Sequence, residues 1–440
     1  MDKHVTILGG GPAGLATAYF AKKHSIDYDL YELKDQFGGN CVTIKHKGHL
    51  FDSGAHRLHD VNKEVTEVYK DLLGENLVRI EVPSQIYRDG FYIDFPISPF
   101  NLIKYLGIFP FILESFKLLF SRLTKPGSNH NNFEDFAVKK YGKKISKLFL
   151  IEYSEKLWGL KAKDLSVKIS GKRLKGLNIY TLILEFFFKN KVKTKHLDGA
   201  FFYPKFGIGM LADSFVSKLN TENLHSNSKI TSIEHSGNKI VSIQVNSNKK
   251  INVNNLVSSL PINVFINSLS PQPPKEILDV SNNIKFRDLI LVAIFLNVDR
   301  VNTNGSMYFP SSNFCFTRVY EPKNRSSYMS PKHMTSLVVE IPCYKDSEFW
   351  MMDDNYLSDL IITDLCDISI ISKEDVESFK IFKIPNAYPI LEKDFDLKTT
   401  KLFNYLRSFK NLKLIGRNGL FQYSHIHDQI ISASNVVKSL

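Results

Sequence analysis

Residues 5–14, VTILGGGPAG, run a short apolar segment into Gly9, Gly11 and Gly14, and Glu32 closes a second apolar segment, YDLYE, about 20 residues further on. The intervening LATAYFAKK has helical spacing, so the order is strand, glycine turn, helix and strand with an acidic end. Each small residue answers a physical need. Gly9 makes the tight turn, Gly11 lets backbone N–H groups approach a pyrophosphate, and Gly14 lets the helix pack close to the strand. Pro12 and Ala13 open the helix whose positive end would hold the anion. Glu32 is acceptor-only, suited to ribose hydroxyls and repulsive to an additional phosphate there. The arrangement predicts a bound dinucleotide.

The 440 residues, 43% hydrophobic and 23% charged, are enough for two or three domains with packed cores and exclude a disordered chain. Lys and Arg (57) exceed Asp and Glu (45), and the resulting net charge of +12 favours anionic partners. With no Arg-rich stripe or nucleic-acid motif, a solvated basic surface is expected and no nucleic-acid partner. Cys41, Cys315, Cys343 and Cys366 have no metal-ligand spacing, so no metal is expected; with no leader before the first strand, a cytoplasmic location is expected. Asn101 to Phe120 is apolar but carries Lys104, Glu114 and Lys117 and is broken by Gly107 and Pro110, which rules out a span. Tyr180 to Lys195 sets Leu184 and Phe186 to Phe188 beside lysines. Helices packed inward are the plainer reading of both stretches, and peripheral contact at the inner membrane face is the alternative.

Further along, Phe37 to Asn40 (FGGN) again suits close backbone approach, through Gly38 and Gly39, and CVTIKHKGHLFDSG reads as a hairpin. Residues 96–200 read as helices with breaks at Pro110, Pro126, Gly142 and Gly159. Alternation then returns, predicting a hairpin over Ser236 to Asn238 and a return strand ending at Pro261. Leu289 to Val298, Ser336 to Ile341 and Glu377 to Ile384 predict an antiparallel sheet, and Asn411 to Leu440 a last strand and a helix near His427. The fold class expected is α/β: a Rossmann-like nucleotide domain from residues 1–95, 201–270 and 395–440, with an inserted α+β substrate domain from 96–200 and 271–394.

The glycine loop, Glu32 with Gly38 and Gly39, and FDSGAHRLH (51–59) together resemble the flavoprotein superfamily of amine oxidases, protoporphyrinogen oxidase, phytoene desaturases and UDP-galactopyranose mutase. The likeness continues through YSEKLWG (153–159), YPKFGIGML (203–211), FTRVYEPKN (316–324), NAYPI (386–390) and GRNGLFQYSHIHDQI (416–430). It implies FAD, held by Gly9, Gly11, Pro12, Ala13, Gly14, Glu32, Leu33, Gly38, Gly39, Asn40, His56, Arg57, Ile230, Gly416, Arg417, Ile426 and His427. Gly416 and Gly419 suit backbone against a flat ring, and the helix N-terminus near His427 suits negative charge on a reduced flavin.

The resemblance also makes Arg318 and Tyr388 ligands of an anionic substrate, an arginine fork and a phenol being apt partners for phosphate. His56 joins them as a catalytic candidate, either in proton transfer or as a structural histidine beside the cofactor. Trp158 and Tyr423 are candidate pocket walls, whereas Phe421 reads as core. Two departures weaken a nucleotide-sugar assignment: Gln422 replaces the arginine of the C-terminal motif, and Gly199 and Ala200 stand where a second mutase arginine is expected. The expected function is hydride transfer from an organic, anionic small molecule to flavin N5, the alternative is a UDP-galactopyranose-mutase-like isomerase, and a third is a non-catalytic flavin protein acting on a partner or membrane.

Overall fold

The parallel strands His4–Leu8 and Asp27–Tyr31 sit at the centre of a five-stranded sheet that also recruits Leu224–His225, Asn255–Ser258 and Leu412–Leu414. Every pairing in it is parallel. Four distant parts of the chain therefore meet in one layer, with the loops carrying the glycines at the C-terminal strand ends. The computed structural model describes residues 4–124, 131–170 and 200–440; the predicted interfacial stretch Tyr180 to Lys195 lies outside them.

A second, seven-stranded sheet runs in the order Val376–Pro389, Phe286–Leu296, Thr335–Cys343, Arg318–Tyr320, Ser306–Tyr308, Ser84–Arg88 and Phe91–Phe95. Phe286–Leu296 and Thr335–Cys343 are buried at every position, which explains their unbroken apolar runs. The last two strands depart from the sequence boundary at residue 95. Ser84–Ile86 pairs in parallel with Ser306–Tyr308, so this hairpin extends the second sheet rather than the nucleotide domain. Local pattern defines a strand but not a partner more than 200 residues away.

The hairpin over Ser236 to Asn238 is present, joining Ile230–Ser236 to Lys239–Val245. What was read as one return strand is three. Lys249–Asn252 adds to the hairpin, and Asn255–Ser258 leaves it for the parallel sheet. Among the helices Pro99–Leu106, Ile108–Thr124, Phe133–Tyr141 and Glu152–Trp158, the breaks fall at Gly107, Gly142 and Gly159, all at positive φ. Pro110 breaks nothing, because it sits in the first turn of its helix, where an N–H would have no helical acceptor. One hydrophobic cluster joins Leu8 and Leu256 of the parallel sheet to Phe133, Trp158 and Leu165 of the helical insertion and Phe421 of the C-terminal loop, fixing the two halves around the space between them. No described helix is long and apolar enough to cross a membrane.

Candidate active site

The glycine loop is built for contact with a ligand's backbone-sized groups. Gly9 has φ +94°, and a Cβ on Gly14 would stand 1.9 Å from the Gly9 carbonyl oxygen, so only glycine lets the Pro12–Lys23 helix rest on the turn. That helix starts from Gly11 with no side-chain cap, leaving its first N–H groups to an incoming anion. The Gly38–Asn40 turn folds over the same spot: Gly38 N–H donates to Gly10 O at 2.8 Å, and a Cβ on Gly39 would meet Gly11 Cα at 3.0 Å. Glu32 accepts from Gly10 N–H (2.6 Å) and Lys34 N–H (3.0 Å), which fixes both carboxylate oxygens at the strand end. From the far end of the chain, Gly416 approaches the same loop, its Cβ position 3.1 Å from Ser259 Cβ and 3.5 Å from Ala13 Cβ. Gly419 serves its own loop instead, crowded by Ile415 O at 2.3 Å.

Beyond this cradle a cleft lies between the two sheets. The segment Ser53–Arg57, the strand bearing Arg318, the strand end Ala387–Tyr388 and the loop from Arg417 to Ile426 line it. His56 is half-buried at the cleft wall; desolvation first, then Arg417, Arg318 and Arg325, push its pKa down to about 3, so the imidazole is neutral. Its Nε2 has no partner among the described residues, a buried acceptor or donor left for a ligand. Arg325, itself 1% exposed, donates to the His56 carbonyl (3.1 Å) and to Gly305 O (3.0 Å), holding that backbone in place.

Arg318 is not free to take an anion alone. Its Nε and Nη2 donate to the two oxygens of Glu340 at 2.8 and 2.6 Å, and Glu340 Oε1 also accepts Ala55 N–H at 3.1 Å. Burial acts to lower the Arg318 pKa, but Glu340 and the surrounding tyrosines outweigh it and hold it well above its usual value. The pair is charged and locally neutral. Arg417 differs: it donates to Ser424 O (2.8 Å) and Ala387 O (3.4 Å), and no ion pair is formed by it among the described residues. Its guanidinium lies 5.4 Å from the Tyr388 ring centroid and 5.6 Å from that of Tyr423. Tyr388 is pushed up to about 12 by burial and then by the Glu340 charge, so its phenol keeps its proton.

Tyr308 and Tyr423 also border a second cavity, walled by Trp158, Tyr153, Phe133, Phe149 and Ile86. Trp158 meets the edges of Tyr423 and Tyr388 at 5.6 and 6.1 Å. A cationic compartment thus opens beside an aromatic one.

The structure gathers most of the expected residues. His56, Arg57, Asn40, Arg318, Tyr388, Arg417, Tyr423 and Ile426 line the cleft, with Trp158 next door. His427 does not: it is 2% exposed, its ring stacked on His425 at 5.4 Å, and His425 is the histidine that faces the cleft. The helix begins at Ile426, with His425 as its N-cap and His427 in its first turn. Ile230 and Leu33 lie apart from the cleft, near the Glu32 strand end, where Ser228 N–H donates to Glu32 O at 2.7 Å. Phe421 is buried against Phe286. Glu340 and Arg325 were not anticipated. Glu340 had a sequence signal, being the one charged residue in the apolar run TSLVVEIPC, and a carboxylate there needs a cation. Among the described residues no group of three or more His, Cys, Asp or Glu could hold a metal ion.

A family profile described as an NAD(P)-binding Rossmann-like domain matches residues 7–72. Mitochondrial protoporphyrinogen oxidase of Nicotiana tabacum is 26% identical over 152 residues, 32% of this chain and 30% of that protein. Coproporphyrinogen III oxidase of Bacillus subtilis is 31% identical over 91 residues, 19% of each chain. The chain thus matches less than a third of these curated relatives' length. Among solved structures, reduced UDP-galactopyranose mutase superposes with a TM-score of 0.86 at 18% identity, covering 100% of this chain and 93% of that one. A putative protoporphyrinogen oxidase from Exiguobacterium superposes at 0.77 with 14% identity, covering 100% and 98%. In sequence the chain is thus similar over part of its length to protoporphyrinogen and coproporphyrinogen oxidases, and along its whole length it shares the fold of UDP-galactopyranose mutase, the putative protoporphyrinogen oxidase and putrescine oxidase.

Proposed function

We propose that this chain is an FAD-dependent oxidoreductase of an organic, anionic small molecule. The supporting observation is the meeting of the Gly9–Gly14 and Gly416 loops around Ser259, opening onto an arginine-lined cleft. Glu32 suits the ribose, the uncapped Pro12–Lys23 helix and Gly39 suit the pyrophosphate, and the Arg417 and His425–Ile426 segment suits the ring. FAD bound there supplies a two-electron acceptor able to take a hydride from a substrate carbon or amine and pass the electrons to oxygen or another acceptor. The chain's own residues do the rest. Arg417 attracts the substrate's negative group, Tyr388 donates its phenolic hydrogen to it, and the Arg318–Glu340 pair holds Ala55 and the wall behind. Neutral His56 contributes a hydrogen bond through Nε2 rather than a proton at physiological pH.

A second reading, flavin-dependent isomerisation of a nucleotide-sugar, is favoured by Trp158 and Tyr153 lining a cavity beside Tyr388, a site where a base can stack. The two readings separate in one experiment. The purified protein should be yellow and release FAD on denaturation; colourless protein that stays so with excess FAD overturns both. The oxidised protein is offered porphyrinogens and amines, and bleaching of the flavin supports the oxidoreductase. The reduced protein is offered UDP-galactose with a borohydride trap, and a covalent flavin–sugar adduct without bleaching of oxidised protein by any donor replaces it with the isomerase.

A further inference from the structure

One helical run supplies Phe149, Leu150, Tyr153, Ser154, Leu157 and Trp158 to the wall of the aromatic cavity. It is not a regular α-helix. Between the α-helical turn Lys143–Ser146 and the helix Glu152–Trp158, the residues Lys147–Ile151 form a π turn, in which Glu152 N–H reaches five residues back to Lys147 O. The return from that spacing to the ordinary four-residue step passes over one carbonyl, which needs a donor from outside the helix. Arg88 supplies a donor there. It ends the strand Ser84–Arg88 and is 8% exposed, and its Nη1 donates to Leu148 O, the carbonyl after Lys147 O, and to Glu152 Oε2 at 2.8 Å. One guanidinium nitrogen thus ties the middle of the turn to its end.

The far end of the run is held by other groups. Lys156 Nζ donates to Ser311 O (2.6 Å) and Phe314 O (3.0 Å), and Arg287 donates to Lys156 O and Leu157 O, each at 3.2 Å. Trp158 is therefore fixed from its own end, while Phe149 and Leu150 lie inside the turn that Arg88 holds. The strand of Arg88 also gives Ile86 to the same cavity, although Arg88 itself lines neither compartment. We propose that Arg88 is a positioning residue for substrate selection: by holding the π turn it sets the width of the aromatic cavity at Phe149 and Leu150. It thereby decides how large a flat apolar body an anion bound at Arg417 can carry. This rests on the reading of the cleft as a site for an organic anion.

The test titrates the flavin-loaded full chain with two probes, following the flavin difference spectrum. Acetate reaches the arginine alone, and 2-naphthoate adds a flat bicyclic body. Arg88→Met should weaken 2-naphthoate about tenfold, the worth of one good aromatic contact, and leave acetate within about twofold. Glu152→Gln keeps an acceptor for Arg88 and the bond to Leu148 O, so both affinities should stay within about twofold of the parent. Arg88→Met also lowers the thermal midpoint, but lost stability alone does not change the ratio of the two affinities. Should that variant not fold, Arg88→Lys carries the test: a point donor in place of a fork should weaken 2-naphthoate about threefold and leave acetate unchanged. A parent that binds both probes, 2-naphthoate the tighter, with a ratio that Arg88→Met or Arg88→Lys does not move, overturns the proposal alone. So does 2-naphthoate that binds the parent no tighter than acetate. A parent that does not bind both probes overturns the organic-anion reading as well.

Discussion

Removing Glu340 should cost far more than the Arg318–Glu340 pair contributes in net terms. At 2.6 and 2.8 Å, with an effective dielectric near 20, the gross attraction is about 6 kcal/mol. Desolvating both ions opposes it by several kcal/mol each, so the pair nets little against an apolar filler. A single deletion keeps one desolvation penalty without its compensation. Glu340→Ala or Arg318→Ala should therefore destabilise by about 3–5 kcal/mol, whereas Arg318→Met/Glu340→Met should fall within about 1–2 kcal/mol of the parent. Urea unfolding followed by near-ultraviolet circular dichroism gives all four corners of the cycle. Glu340→Gln adds a functional corner: it keeps two acceptor or donor groups but leaves Arg318 uncompensated, so affinity for an anionic ligand should rise even as stability drops. Additive single and double losses, or single losses below about 1 kcal/mol, would show that the pair is not the buried, coupled unit described.

Gly14→Ala places a methyl more than an ångström inside a C···O contact of about 3.3 Å, so flavin content at purification should drop at least tenfold while far-ultraviolet circular dichroism stays; a fully loaded variant refutes the cradle. Arg417→Gln removes a charge-assisted contact of about 1.5–3 kcal/mol, and calorimetry should show the Kd for UDP or for a porphyrin carboxylate, whichever the holoprotein binds, raised about ten- to a hundredfold. The depressed His56 pKa makes the unfolded chain bind a proton near pH 6.5 that the folded chain refuses until about 3, so stability is full above 6.5 and is lost as pH falls through that window. His56→Gln should flatten that limb in urea midpoints, and an unchanged slope refutes it.

The nucleotide half was legible because its determinants are local: a buried strand, a turn only glycine can make, and a carboxylate at a fixed distance along the chain. The all-buried strands Phe286–Leu296 and Thr335–Cys343 were equally plain from their β-branched runs. Pairing was not. Nothing within SQIYRDGFYIDF says that its partner is Ser306–Tyr308, and assigning it by adjacency set the domain boundary in the wrong sheet. Arg318 was found but its charge was overestimated, since its partner lies 22 residues away on a neighbouring strand, in register with it.

That last correction changes which substrate the cleft can take. Four arginines lie in or behind it, yet they are not equivalent. Arg318 is neutralised by Glu340, Arg325 is buried on the carbonyls of His56 and Gly305, and Arg57 donates to Ser84 Oγ with its guanidinium 4.9 Å from the Phe201 ring centroid. Arg417 faces the cleft on two tyrosine rings and donates only to the neutral backbone carbonyls of Ser424 and Ala387. A guanidinium on neutral acceptors suits one carboxylate or one phosphate group better than the dense charge of a diphosphate, which needs several cations to leave water. The adjoining aromatic cavity, for its part, rewards a flat or apolar body of comparable bulk. A small anionic group on a large unsaturated frame satisfies both compartments at once, and this balance of charge is what favours the oxidoreductase reading over the nucleotide-sugar one.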